Sequence, residues 1–483
     1  MSLINVSNLT FAYEGSYDNI FEEVSFQIDT DWKLGFTGRN GKGKTTFLNL
    51  LLGKFEYIGS ISATARFQYF PYPVQDKTKI TTAIVEEICP EYQDWQLARE
   101  LSLLDINEEV LSRPFETLSN GEQTKVLLAA LFLNDNRFLL IDEPTNHLDM
   151  KGREIVSRYL NNKSGFILVS HDRAFLDGCV THILSINKAN IEVRRGNFSP
   201  WFANKKLQDN FEKLQNVKLK KQITQLEKAA RKYADMSDKM EALTPPAGHA
   251  KEKGIRLMNK SKAIETRKKR AVDEKNELLK NIDYASDLKI TQLPYHKSHL
   301  LSLTDVGIFY GEKKVCDNIT LDVNHGDRIA LVGKNGCGKS SILKLILGEK
   351  ITYTGELAIS SGLKISYVSQ DTSHLKGNLT DYAWAHGIDE SLFKAILRKL
   401  DFLRVQFEKD MSDFSSGQKK KVLIARSLCE KAHLLIWDEP LNFIDVLSRV
   451  QIENLLLEYK PTILFVEHDK VFCDKIATQI FSW

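Results

Sequence analysis

The sequence has no apolar run of about 18 residues or more, the length a helix needs to span a bilayer. Its opening, MSLINVSNLTF, lacks the positive-then-apolar layout of a secretory leader. Cysteine is sparse: six residues (Cys89, Cys179, Cys316, Cys337, Cys429, Cys473) are scattered through 483, with no CxxC pair. That argues against a disulfide or zinc framework, and a reducing, cytoplasmic setting is expected. The composition that remains is ordinary for a globular chain, 42% hydrophobic and 27% charged. The length allows two or more domains, each with its own core.

The net charge of +3 hides an uneven distribution. Residues 205–280 hold 21 Lys or Arg against 11 Asp or Glu, an excess of ten positive charges that leaves the rest of the chain at −7. A basic segment of this kind suits a polyanion, because phosphate contacts release counterions.

The two flanks repeat each other at an offset of about 296 residues. GRNGKGKTT (Gly38–Thr46) returns as GKNGCGKSS (Gly333–Ser341), and LSNGEQ as FSSGQK. LLIDEP returns as LIWDEP, and VSHD as VEHD. Tyr13 and Tyr310 keep the same spacing. The chain is therefore two copies of one unit with an inserted middle. Each copy reads as α/β: apolar runs such as KLGFTG and RIALVG end in the glycine loop, and helical spacing follows. The expected divisions are 1–200, 201–290 and 291–483.

G-x-x-x-x-G-K-[ST] occurs twice, over Gly38–Thr45 and Gly333–Ser340. Gly38, Gly41 and Gly43, like Gly333, Gly336 and Gly338, let backbone N–H groups converge on phosphate oxygens beside Asn40 or Asn335. Lys44 and Lys339 then reach the terminal phosphates at a helix N-terminus. Thr45 and Ser340 are placed to bind Mg2+, and Thr46 and Ser341 belong with the residues that bind ATP. Asp142 and Asp438 end apolar strands, where a carboxylate can hold the same ion. Glu143 and Glu439 follow, suited to orienting or deprotonating water. His171 and His468 close later strands, within reach of a γ-phosphate.

These residues resemble the ATP-binding cassette family over both repeats. The diagnostic element is its signature, seen as Ser119, Gly121 and Glu122, and as Ser415, Gly417 and Gln418. The implied fold is α/β, two tandem cassettes of the P-loop NTPase class that close head-to-tail around two nucleotides. Lys44, Thr45, Asp142, Glu143 and His171 would then face Ser415 and Gly417. Lys339, Ser340, Asp438, Glu439 and His468 would face Ser119 and Gly121. Tyr13 and Tyr310 match the family's adenine-stacking aromatic. Gln370 matches its Q-loop glutamine and metal contact; the first repeat aligns Tyr72 there, with Gln75 nearby. Leu441 stands for Thr145, and Glu467 for Ser170, so the two sites are expected to be unequal.

In the middle segment, Leu207, Phe211, Leu214, Ile223 and Leu226 begin one apolar stripe, and Ile255, Met258 and Ile264 another. TPPAGHAKEKG (Thr244–Gly254) separates them, so a long antiparallel helical hairpin is expected, its tip near 241–256. Two cassettes, no spanning helix and a basic hairpin resemble the ABC-F ATPases, and the long tip resembles their antibiotic-resistance, ribosome-protecting members, the Lsa-like group. That resemblance implies a monomer with intramolecular cassette pairing. Its partner would be the 70S ribosome at the E site, through 23S rRNA and P-site tRNA, with no membrane or DNA partner. Lys251, Lys253, Arg256, Lys260, Lys262, Arg267 and Arg270 would contact RNA backbone. Protection would cover lincosamides, pleuromutilins and streptogramin A. The rival readings are a housekeeping ABC-F translation factor and a transporter's ATPase subunit. A chromosome or repair ATPase fits poorly, because its coiled coil would interrupt a cassette.

Overall fold

The computed structural model describes residues 3–14, 19–134, 137–187, 190–208, 297–400 and 402–483, with isolated positions at 211–228, 293 and 295. The chain divides into two units, Met1–Ser199 with Asp287–Trp483, and Pro200–Ser286.

In the first unit both repeats fold alike. The apolar runs become short strands buried on both faces, as a parallel sheet covered by helices requires; Phe166–Val169 and Leu434–Asp438 are buried throughout. The first sheet runs Arg66–Phe70, Arg137–Asp142, Phe166–Val169, Lys33–Thr37, His182–Asn187, Asn190–Arg195, parallel except for the last pair. The second runs Ile365–Val368, Leu434–Asp438, Ile463–Val466, Arg328–Val332, Gln479–Ser482, all parallel. Each copy also carries a three-stranded antiparallel sheet, centred on Leu3–Phe11 or His299–Tyr310. The core of Ile4, Leu34, Phe47 and Leu140 joins the two sheets of the first copy around the helix Lys44–Leu51. Leu301, Ile329, Ile342 and Ile436 do the same in the second.

This topology gathers the motifs. The glycine loop follows the central strand Lys33–Thr37. Asp142 pairs with Val169 in register one strand away, so Glu143 and His171 leave the sheet at the same carboxyl edge. Ligands bind at such edges in open α/β sheets.

Candidate nucleotide sites between the cassettes

Gly43 caps the helix Lys44–Leu51 in the left-handed region at φ 91°, and a Cβ there would lie 2.5 Å from Ile20 Cγ2. Glycine is needed on both counts. Lys44 is buried, and its Nζ donates to the carbonyls of Gly38 (2.7 Å) and Arg39 (3.2 Å) and to Asn40 Oδ1 (3.4 Å). Lys339 Nζ donates likewise to Gly333 O and Lys334 O, both at 2.8 Å. Burial lowers the Lys44 pKa, opposed by Asp445, Glu143 and Asp142. Each ammonium is thus held inside a curl of backbone that can receive a polyphosphate.

Thr45 Oγ1 donates to Asp142 Oδ2 at 3.2 Å, and Ser340 Oγ to Asp438 Oδ1 at 3.1 Å. A hydroxyl and a carboxylate at the foot of an anion cradle are a donor pair for a hard octahedral cation that takes its other oxygens from phosphate and water. The residues present therefore fit Mg2+. Burial raises both aspartates, Asp438 to about 6.

The adjoining glutamates are strained and dissimilar. Glu143 and Glu439 have φ of 50° and 46°, costly for a residue with a Cβ. His171 Nε2 lies 3.3 Å from Glu143 Oε1, and His468 Nε2 lies 3.6 Å from Glu439 Oε1. Burial and the Asp142 charge push Glu143 up to about 8. Burial also raises Glu439, but nearby His468, the Asn442 hydrogen bond (2.6 Å) and Lys420 bring it below the usual range. Gln370 Nε2 donates to Glu439 Oε2 at 2.8 Å, so Gln370 meets the glutamate in this structure.

The repeats meet head-to-tail. Asn40 Nδ2, in the first glycine loop, donates to Phe443 O of the second copy at 2.9 Å. Asn335 Nδ2 reciprocates on His147 O at 3.2 Å. Gly417, in the helix that Ser415 caps, lies against Phe443 O and Asn40; Gly121, in the helix capped by Ser119, lies against His147 O. Glu122 Oε2 accepts from Ser119 N and Gln418 Oε1 from Ser415 N, the reciprocal half of each cap. Each loop therefore meets the opposite copy next to its signature glycine.

Tyr13 OH is 2.8 Å from Thr46 Oγ1, and Tyr310 OH donates to Ser341 Oγ at 3.3 Å; both rings are about half exposed. Three residues went unnoticed in sequence. Tyr69, rather than Tyr72, reaches the first aspartate, its OH donating to Asp142 Oδ2 at 2.9 Å. Its recurrence as Tyr367 was the available signal. Asp445 sits in a buried pair with Lys421 at 3.2 Å, where the positive charge of Lys44 also acts on it. Lys420 is buried, which lowers its pKa to about 8. It reads as surface charge within GQKKK.

In the second unit Leu207, Phe211 and Leu214 are exposed, so the expected apolar seam is not buried at these three positions. The hairpin tip near 241–256 and Lys251, Lys253, Arg256, Lys260, Lys262, Arg267 and Arg270 lie outside the described residues. Among the described residues no helix is long and apolar enough to cross a membrane.

The family model described as ABC transporter matches residues 21–146 and 316–442. Similar proteins include the ribosome protection protein VmlR of Bacillus subtilis, 29% identical over 98% of this chain and 85% of that protein. The ATP-binding protein Uup of Buchnera aphidicola is 27% identical over 99% of this chain and 80% of its own length. Among solved structures, the archaeal ribosome recycling factor aABCE1, in complex with stalk protein aP1, aligns with a TM-score of 0.64. At 17% identity over 98% of this chain and 87% of that one, it speaks to fold alone.

Proposed function

Because the chain belongs to the ATP-binding cassette family, in its ABC-F branch, and is an ATPase, we propose that it binds ribosomes while its cassettes are closed on ATP and leaves them after hydrolysis. The observation that carries the closure is the reciprocal pair Asn40–Phe443 and Asn335–His147. Nucleotide held in one glycine loop then lies beside the opposite signature residues, Ser415 and Gly417 or Ser119 and Gly121. Backbone N–H groups of the loop and the lysine ammonium hold the phosphates. Glu143 and Glu439 orient the attacking water, and His171 and His468 position those carboxylates. Mg2+, held at Thr45 and Asp142 and at Ser340 and Asp438, supplies charge neutralisation on the phosphate oxygens. Tyr13 and Tyr310 offer aromatic faces to adenine.

The similarity to a ribosome protection protein over 98% of this chain and the basic residues 205–280 support 23S rRNA and P-site tRNA as the surface bound from the E site. The function proposed is protection from lincosamides, pleuromutilins and streptogramin A. A second reading is a ribosome factor without a resistance role; Uup, matched over as much of the chain, has a name that states ATP binding alone. The test is co-sedimentation of Glu143→Gln with Glu439→Gln on 70S ribosomes in ATP, beside a drug-susceptibility panel for the intact chain. Retention in the pellet with raised resistance is expected. Protein left in the supernatant would overturn ribosome binding, and pelleting with unchanged susceptibility would favour the second reading.

A further inference from the structure

The helix Ser416–Cys429 begins at one site and is fastened, one turn later, to the other. Its first turn carries Gly417 against Phe443 O and Asn40 of the first glycine loop. Lys420 follows three residues on and is 1% exposed. Its Nζ donates to Ser369 O at 2.7 Å and Asp438 O at 3.2 Å. Ser369 precedes Gln370 and Asp438 precedes Glu439, and Gln370 donates to Glu439 at 2.8 Å. Lys420 therefore grips the backbone at both ends of that contact in the second site. The adjacent Lys421 turns the other way, to Asp445 at 3.2 Å.

Among the described residues the first repeat shows no such device. Thr124 occupies the Lys420 position in the helix Asn120–Phe132, and a threonine cannot span the same gap. Two further positions differ with it. Thr145 Oγ1 and Ser170 Oγ face each other at 3.2 Å, where the second repeat has Leu441 and Glu467. The Glu467 carboxylate is 1% exposed, accepts from Leu441 N and His468 N, and attracts Lys420. Burying opposite charges costs desolvation that their attraction does not reliably return. Such a set calls for a role other than stability.

We infer that Lys420 is a positioning residue that transmits the state of the first nucleotide site to the second, with no counterpart in the reverse direction. The inference rests on the proposed placement of Ser415 and Gly417 at the first site. Nucleotide gripped by Ser415 shifts the helix N-terminus. Because one helical turn is stiff, the shift reaches Ser369 and Asp438 through the Lys420 ammonium and resets Gln370 against Glu439. In the first repeat the Thr124 side chain ends too early to pull on either carbonyl.

The experiment is a double-mutant cycle on ATP turnover in the full chain. In a Glu143→Gln background, which leaves hydrolysis to the second site, Ser415→Ala is combined with Lys420→Met. Ser415→Ala is expected to lower second-site kcat by about fivefold or more, the lower bound of ordinary site–site coupling. With Lys420→Met the same change should have less than about a twofold effect, and Lys420→Arg should restore the coupling. In a Glu439→Gln background, Ser119→Ala should lower first-site kcat by clearly less than Ser415→Ala lowers second-site kcat. Should Lys420→Met not fold, Thr124→Lys with Thr145→Leu and Ser170→Glu supplies the test, making first-site kcat sensitive to Ser119→Ala. Equal sensitivity to Ser415→Ala with and without Lys420 would overturn the link alone. Undiminished turnover in Glu143→Gln with Glu439→Gln would instead overturn the site assignment beneath it.

Discussion

Asn40 and Phe443, 403 residues apart, are joined by a side-chain amide donating to a main-chain carbonyl at 2.9 Å. Gly417 packs on the same carbonyl so closely that a Cβ would sit 2.3 Å from it, whereas a Cβ on Gly121 would stand 3.5 Å from His147 O. Overpacking of the first kind costs about 1–3 kcal/mol. Gly417→Ala is expected to cut ATP turnover by about tenfold, and Gly121→Ala by markedly less. Steady-state hydrolysis by the two variants, measured side by side, decides it; equal losses would contradict the unequal spacing.

Tyr69 gives Asp142 a hydrogen bond at 2.9 Å in addition to that from Thr45. A bond to a carboxylate is worth about 1.5–3 kcal/mol. Tyr69→Phe in a Glu439→Gln background should therefore shift the Mg2+ concentration for half-maximal first-site turnover by about tenfold. An unchanged magnesium titration would remove Tyr69 from the site.

Asp445 is buried, which alone would raise its pKa, but Lys421 and then His171 bring it well below the ordinary carboxylate value. A depressed folded-state pKa contributes stability that is fully present above the unfolded value, about 3.9, and is lost as pH falls through the folded one. Asp445→Asn strands the Lys421 ammonium, at about 3–5 kcal/mol. Thermal melts from pH 7 down to 3 should show a lower plateau and a flatter acid limb for the variant. Parallel curves would refute the assignment.

Arg173 of the first cassette meets Glu453 of the second in a buried pair, with Asp469 3.9 Å away. Lys470, which repeats Arg173, instead reaches Glu154 at 3.9 Å in an exposed pair. Arg173→Ala should destabilise the paired cassettes by about 3–5 kcal/mol, and Lys470→Ala by about 0–1 kcal/mol. Chemical denaturation of both variants measures the contrast, and comparable midpoints would count against a one-sided anchor.

Sequence by itself determined the duplication, the two glycine loops, the aspartate–glutamate pairs that end apolar strands, and the α/β class of each copy. These features are local: a strand, a tight loop and a helix start follow one another within about ten residues, so spacing and residue type encode them. Only the tertiary structure decided that Asn40 meets Phe443, that Tyr69 rather than Tyr72 reaches Asp142, and that Lys420 and Lys421 are both buried, Lys421 against Asp445. The first depends on which surfaces the two copies bury against each other, and the others on which side chains of one copy reach across a tertiary contact. Side-chain reach across that contact has no period along the chain, and a lysine in GQKKK reads the same whether water or protein surrounds it.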